Sequence, residues 1–349
     1  MKQFEDFNPN EIGLINNNIF GLPSTEENSQ LIIIPCPWEV TVSYRAGTAK
    51  GPEQIFEASK QIDLYDEDGL DNWKKGYYML PIDKAIESKS SYLRSCSELI
   101  IAALMEGTVI EKNDQLCEKI KEVNDGGEYF KNWLKDKTLE YLNKNKTVVM
   151  IGGDHSTPLG YIQALATKNK SFGILHIDAH ADLREAYENF KYSHASIMYN
   201  VLKEVPEVSK LVQVGIRDFC DEEKKRIESD PKIKTFFNQH LKERMYEGET
   251  WKQIVEDIIS NLPDNIYISF DIDGLDPKLC PNTGTPVPGG FEIEQVFYLF
   301  KKIKQSGKAI IGFDINEVSS GEEFMDTIDP VVGARILYKM CNILMSQNN

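Results

Sequence analysis

Gly173-Ile174-Leu175-His176-Ile177-Asp178-Ala179-His180-Ala181-Asp182 opens as an apolar run and closes with carboxylate, imidazole and carboxylate at alternate positions. Side chains two apart on an extended backbone point the same way. Asp178, His180 and Asp182 therefore converge where a strand runs out into its loop. Neutral imidazole with carboxylate is a donor set for a divalent metal of intermediate hardness. A solvated strand end is the plainer reading of this stretch taken alone.

Other apolar runs end in the same way. TVVMI at 147–151 leads into Gly152-Gly153-Asp154-His155-Ser156, the run at 266–270 into Asp271-Ile272-Asp273, and the run at 308–315 into Asn316-Glu317. Further runs stand at 30–36 and 211–216, and helical patterns fall between them at 53–59, 158–168, 195–203, 221–228, 250–261, 292–305 and 330–345. Nearly all-apolar strands alternating with helices predict an α/β fold, a three-layer α-β-α sandwich whose mainly parallel sheet is covered on both faces. In such a sheet the strand C-termini lie on one edge, so His155, Asp178, His180, Asp182, Asp271, Asp273 and Glu317 share one crevice. Of five histidines, His155, His176, His180 and His194 lie within forty residues of one another. His176 alternates with Leu175 and Ile177 and reads as a packed core residue; His240 carries no signal. Asp154 reads either as a group orienting a ligand or as a helix cap.

The chain of 349 residues reads as one domain, 1–349, with a helical insertion around 84–146. Two helices are expected there, parted by a loop near Asn124-Asp125-Gly126-Gly127. The segment from Ser43 to Pro52, with two glycines and a closing proline, is a loop directly after a strand end, where α/β proteins place binding groups. A net charge of -16 argues against a nucleic-acid partner. No run approaches the ~18 apolar residues of a membrane span. Six scattered cysteines and a polar N-terminus without a signal-peptide pattern suit reduced thiols and a cytoplasmic location.

GGDHS at 152–156, DAHAD at 178–182, SFDIDGLDP at 269–277, the TGTPVPGG that follows and EVS at 317–319 resemble the arginase–agmatinase ureohydrolase family in order and spacing. SYRAGTAKGP at 43–52 and DLREAYENFKYSHASIM at 182–198 are similar to agmatinases within it. Arginases carry an Asn two residues after the last Asp of the DAHAD-type motif, where this chain has Arg184. The resemblance implies two Mn²⁺ per chain, with Ni²⁺ or another divalent ion open on ligand type. His155, Asp178, Asp182 and Asp271 would hold one ion and His180, Asp178, Asp271 and Asp273 the other. Two such ions ~3.5–4 Å apart can share a water and bring its pKa towards ~7. His194 would contact substrate and transfer a proton, Glu317 would pair with a guanidinium, and Arg184 and Tyr44 are further substrate contacts, the loop from Ser43 to Pro52 walling the pocket. The implied reaction cleaves a small guanidino compound to urea and an amine, with agmatine giving putrescine as first choice. Arginine, guanidinobutyrate, free guanidine and formimidoylglutamate are alternatives within the family. A mononuclear zinc deacetylase and a non-catalytic metal-binding relative are readings outside it. A homo-oligomer, trimer or hexamer, is implied as well.

Overall fold

Strand β4 (Phe172–Ile177) sends Phe172 and Ile174 into one buried cluster and Leu175 and Ile177 into another. The same division holds in β1 (Leu31–Pro35), where Leu31 and Ile33 face one side and Ile32 and Ile34 the other. Strands buried on both faces need apolar side chains at every position, and each is worth roughly 1.5–3 kcal/mol when fully buried. The computed structural model describes residue 4 and residues 7–14, 16–321 and 328–347. Within them, β1, β2 (Tyr77–Met79), β3 (Thr147–Ile151), β4, β5 (Val208–Val214), β6 (Ile233–Phe236), β7 (Asn265–Asp271) and β8 (Ala309–Asn316) form one sheet. Every pairing is parallel, and the order is β2-β1-β3-β8-β7-β4-β5-β6.

Five helices contribute to the core on one face: α1 (Gly51–Ser59), α7 (Asn238–Tyr246), α8 (Trp251–Ser260), α9 (Ile293–Gln305) and α10 (Ile328–Ser346). The opposite face is covered by α2 (Lys84–Met105), α3 (Asp114–Leu142), α4 (Leu159–Ala166), α5 (Ile197–Glu204) and α6 (Asp221–Ser229). The result is the three-layer α/β arrangement expected from the sequence. No described helix is long and apolar enough to cross a membrane.

The expected break near Asn124–Gly127 is absent, because α3 runs unbroken through it. The connection between α2 and α3 lies at 106–113, where Asn113 caps α3 by accepting from the N–H groups of Gln115 and Leu116. The two glycines serve packing rather than a turn. A Cβ on Gly126 would stand 2.2 Å from Leu93 Cδ1, and one on Gly127 2.7 Å from Tyr192 Cδ2. They let α3 close on α2 and on the loop that precedes α5.

Strands β3, β8, β7 and β4 are consecutive neighbours in the middle of the sheet. Their C-terminal ends carry the residues singled out above, which places those residues side by side.

Candidate metal centre and active site

His155 leaves the end of β3 fully buried, with Nδ1 aimed at three carboxylates: Asp178 Oδ2 at 3.0 Å, Asp271 Oδ2 at 3.1 Å and Asp182 Oδ2 at 3.2 Å. His180, partly exposed, aims its Nδ1 at Asp273 Oδ2 at 3.0 Å and at Asp178 Oδ1 at 3.5 Å. Asp178 thus offers one oxygen to each imidazole, and two overlapping donor groups meet at it. The turns that aim these groups are tight. Asp182 adopts φ 55° and Glu317 φ 62°, a left-handed conformation that costs non-glycine residues of order 1–3 kcal/mol and persists where the surroundings enforce it. The Asp182 carbonyl accepts from Met198 and Tyr199, and the Glu317 N–H donates to Gly153.

The donors fit divalent cations. The Ser269 hydroxyl is 3.1 Å from Asp314 Oδ1 and 2.9 Å from His155 Nε2. Its single proton goes to Asp314, so it accepts from Nε2–H, and His155 presents Nδ1 to the three carboxylates. Burial disfavours the charged ring, but its hydrogen bonds to Asp178, Asp182 and Asp271 hold its pKa well above the ordinary imidazole value, so without an ion a proton occupies the place that a divalent cation would take. The spacing agrees, since neighbouring ligands of an octahedral ion at about 2.1 Å stand about 3.0 Å apart. Among the described residues no lysine or arginine pairs with Asp178, Asp182, Asp271 or Asp273, whose ion pairs are all with histidines. Burial, reinforced by Asp178, pushes Asp182 up to about 6. Burial, then Asp273 and Asp178, hold Asp271 well above the carboxylate range. These are acids strained by mutual repulsion, the state that two divalent ions relieve.

Glu317 stands beside this cluster, buried, its Oε1 accepting from the His155 N–H at 2.8 Å. Burial first, and the charge of Asp271 next, raise its pKa well above the ordinary value. Asp154 does not reach the donors. One of its oxygens accepts from the Val40 and Thr41 N–H groups, and the other accepts from Ser156, so it ties the loop after β1 to the loop after β3.

A cavity of about 160 Å³ opens over His180 and Asp182, walled by Ser43, Arg184, Tyr187, His194, Asp218 and Glu223 among others. His194 lies near Thr41, Nδ1 to Oγ1 at 3.4 Å, and burial pushes its imidazole down to about 3. Arg184 is engaged twice, with Nε 3.7 Å from Glu223 Oε2 and its guanidinium 4.6 Å from the Tyr187 ring centre. The loop after β1 reaches this cavity through Ser43, whereas Tyr44, the expected substrate contact, is 69% exposed with the Arg45 guanidinium over its ring and is not among the residues that wall it.

Several groups escaped the sequence reading. Glu39, buried, accepts from the Gly47 N–H, the Thr48 hydroxyl and the Ala49 N–H and so folds the loop back on itself. Arg217 donates to the carbonyls of Asp273, Leu275 and Val287, clamping the backbone under the second donor group. His176 is as buried as expected, yet its Nε2 lies 2.7 Å from Asp178 Oδ2. Ser269, Asp314 and His176 shared one readable signal, a polar side chain inside an otherwise apolar strand.

Fold and site together define a metal-binding hydrolase of the α/β class with its donors on the C-terminal edge of a parallel sheet. A model of the Arginase family matches residues 29–342, and the chain belongs to that family. The N(1)-aminopropylagmatine ureohydrolase of Thermus thermophilus is 30% identical over 307 residues, 88% of each chain. The agmatinase of Neisseria meningitidis is 27% identical over 320 residues, covering 90% of this chain and 87% of its own. Among solved structures, a hypothetical agmatinase from Burkholderia thailandensis superposes with TM-score 0.70 at 20% identity, covering 98% and 93% of the two chains. At that identity it speaks for the fold alone.

Proposed function

We propose that this chain is a ureohydrolase that cleaves a guanidino amine of the agmatine type to urea and the corresponding amine, with two Mn²⁺ held by His155, Asp178, Asp182, Asp271, His180 and Asp273. The observation that carries the reading is the pair of donor groups sharing Asp178, beneath a cavity that also contains His194 and beside the buried carboxylate of Glu317. Ligands that are all oxygen and nitrogen suit Mn²⁺ better than structural zinc.

When bound, the ions supply ionised water at neutral pH. The protein's own groups do the rest. A guanidinium presents a planar fork of N–H donors, and Glu317 offers it a carboxylate in a buried setting where such a pair is strong. Pairing also restores Glu317 to its ionised form, which burial alone disfavours. His194, neutral at pH 7, is placed to take a proton as the carbon is attacked and to hand one to the departing amine.

The tail of the substrate is read from charge. Arg184, a cation on the cavity wall, has the Glu223 carboxylate and the Tyr187 ring beside it, which offset its pull on an α-carboxylate. Asp218 on the same wall is an exposed carboxylate suited to an ammonium. A decarboxylated guanidine with a distal amine satisfies both, whereas arginine would leave its carboxylate without a partner, at a cost of several kcal/mol if buried. The relatives named for agmatine and aminopropylagmatine point the same way. The test is urea release by the Mn²⁺-loaded protein from agmatine, N(1)-aminopropylagmatine and L-arginine at equal concentration. One of the first two should be fastest; faster turnover of L-arginine would overturn the substrate assignment.

A further inference from the structure

Beneath the donor groups a row of polar side chains crosses the sheet at a single register. Asp314 of β8 pairs with Ser269 of β7, Ser269 with His176 of β4, His176 with Gln213 of β5, and Gln213 with Thr235 of β6. Each sits in a strand whose neighbours are largely apolar, and the first four are buried. Side chains at one register of adjacent strands are direct neighbours. Here hydrogen bonds join Asp314 to Ser269 and His176 to Gln213 to Thr235, and the two halves meet through His155 and Asp178 above them.

We propose that this row positions the metal ligands, with His176 as the residue that orients Asp178 and with Gln213 and Thr235 fixing the tautomer in which it does so. The inference rests on the reading of the donors as a metal centre. Its logic starts at the edge of the sheet. The Thr235 hydroxyl donates to Gln213 Oε1 at 2.9 Å, and Gln213 Nε2 donates to the Ala181 carbonyl at 2.7 Å. A carbonyl can only accept, so the amide has one orientation, with its nitrogen towards Ala181. The same nitrogen stands 3.0 Å from His176 Nδ1. Nδ1 must therefore accept, the ring proton sits on Nε2, and Nε2–H donates to Asp178 Oδ2 at 2.7 Å. That oxygen is the one facing His155, while Asp178 Oδ1 accepts the His180 N–H. Each carboxylate oxygen thus has one protein donor, which turns the carboxylate so that one oxygen serves each donor group.

The other half of the row does for His155 what this half does for Asp178. Ser269, anchored on Asp314, accepts from His155 Nε2–H and leaves Nδ1 free to bind. Tyr267 also bonds to Asp314. A row that served only to satisfy itself would have no reason to end on a ligand imidazole and a ligand carboxylate at its centre. Hydrogen bonds to metal ligands typically matter at roughly 10–100-fold in metal affinity.

The experiment measures Mn²⁺ affinity by calorimetric titration of the metal-free protein, with circular dichroism as the check on folding, for wild type, His176→Leu, His176→Gln and Gln213→Met. His176→Leu is expected to weaken binding by roughly 10–100-fold. His176→Gln, which retains an N–H for Asp178, should recover most of that loss, and Gln213→Met should fall between. Nitrogen NMR of ¹⁵N-histidine-labelled protein, with only five histidines to assign, should show His176 as the Nε2–H tautomer in wild type and a mixture in Gln213→Met. Folded variants with wild-type affinity, or equal losses in His176→Gln and His176→Leu, overturn the proposal. If His176→Leu does not fold, Thr235→Val at the half-buried end of the row decides, and an unchanged His176 tautomer there overturns it. A wild type that takes up no divalent ion would overturn the metal centre together with the row, whereas intact wild-type binding with unmoved variants overturns the row alone.

Discussion

His194 and Glu317 are the side chains to which the proposed reaction assigns a step each. Burial, helped by His180 and His155, sets the His194 pKa to about 3, below the ~6.5 of an exposed imidazole. With the folded value depressed, the neutral ring favours folding above ~6.5, and that advantage is lost as pH falls from ~6.5 towards 3. Its place on the cavity wall, not this pKa, carries the assigned proton transfer, and replacing it by asparagine should cost ~10²–10⁴ in turnover, the usual worth of a positioned acid–base group. The metal-free His194→Asn protein should also lose less thermal stability than wild type between pH 7 and pH 5. Urea assays beside metal analysis check the first part, and melting curves the second; lost metal in the variant would remove His194 from proton transfer. Glu317→Gln keeps an acceptor for the His155 N–H but surrenders the charge. A hydrogen bond to a charged group is worth about 1.5–3 kcal/mol, so kcat/KM should fall by roughly 10–150-fold with Mn²⁺ still bound. An unchanged kcat/KM would take the guanidinium away from Glu317.

At the scale of elements, α2 belongs to the site without touching its donors. Ser90 Oγ accepts the Glu39 N–H at 2.9 Å, Ser97 Oγ donates to the Val40 carbonyl, and Arg94 donates to the Val42 carbonyl. These bonds hold the stretch whose Thr41 meets His194 and whose Ser43 walls the cavity. Arg94→Met should loosen this wall at the cost of about 1–2 kcal/mol, raising KM by roughly 5–30-fold while leaving Mn²⁺ content and the fold intact. Steady-state kinetics would show it, and an unaltered KM would free the loop from α2. What the sequence disclosed follows the same scale. Long apolar runs such as TVVMI announced the central strands because burial on both faces leaves no room for polar residues. The edge strands β2 and β6 are three and four residues long and only partly buried, so neither pattern nor length separated them from loop. α7 carries just two buried residues, too few for a helical stripe. Gly126-Gly127 looked like a turn because local conformational preference was read where close packing of α3 decided.

For the whole molecule, the candidate metal donors were legible because chemistry restricts which residues can hold a divalent ion, and parallel topology gathers strand ends. What positions them was not, because Gln213, Thr235 and Arg217 act across strands that only the fold brings together. The same gathering makes stability depend on metal and pH together. Without ions, Asp182 has a folded pKa of about 6 against ~3.9 unfolded. A raised folded value means that its favourable contribution is full below ~3.9 and disappears as pH rises through ~6, and Asp271 acts in the same direction. Bound cations reverse this by holding the carboxylates ionised, so binding must release protons where these acids would otherwise keep them. The metal-free protein should therefore be handicapped at pH 7.5 by repulsion that is partly relieved at pH 5.5. Saturating Mn²⁺ should raise the melting temperature at both values, and by clearly more at pH 7.5. Thermal melts in EDTA and in excess Mn²⁺ provide the comparison. A gain that is equal at the two pH values, or larger at 5.5, would mean that Asp182 and Asp271 do not meet the metal as partly protonated acids.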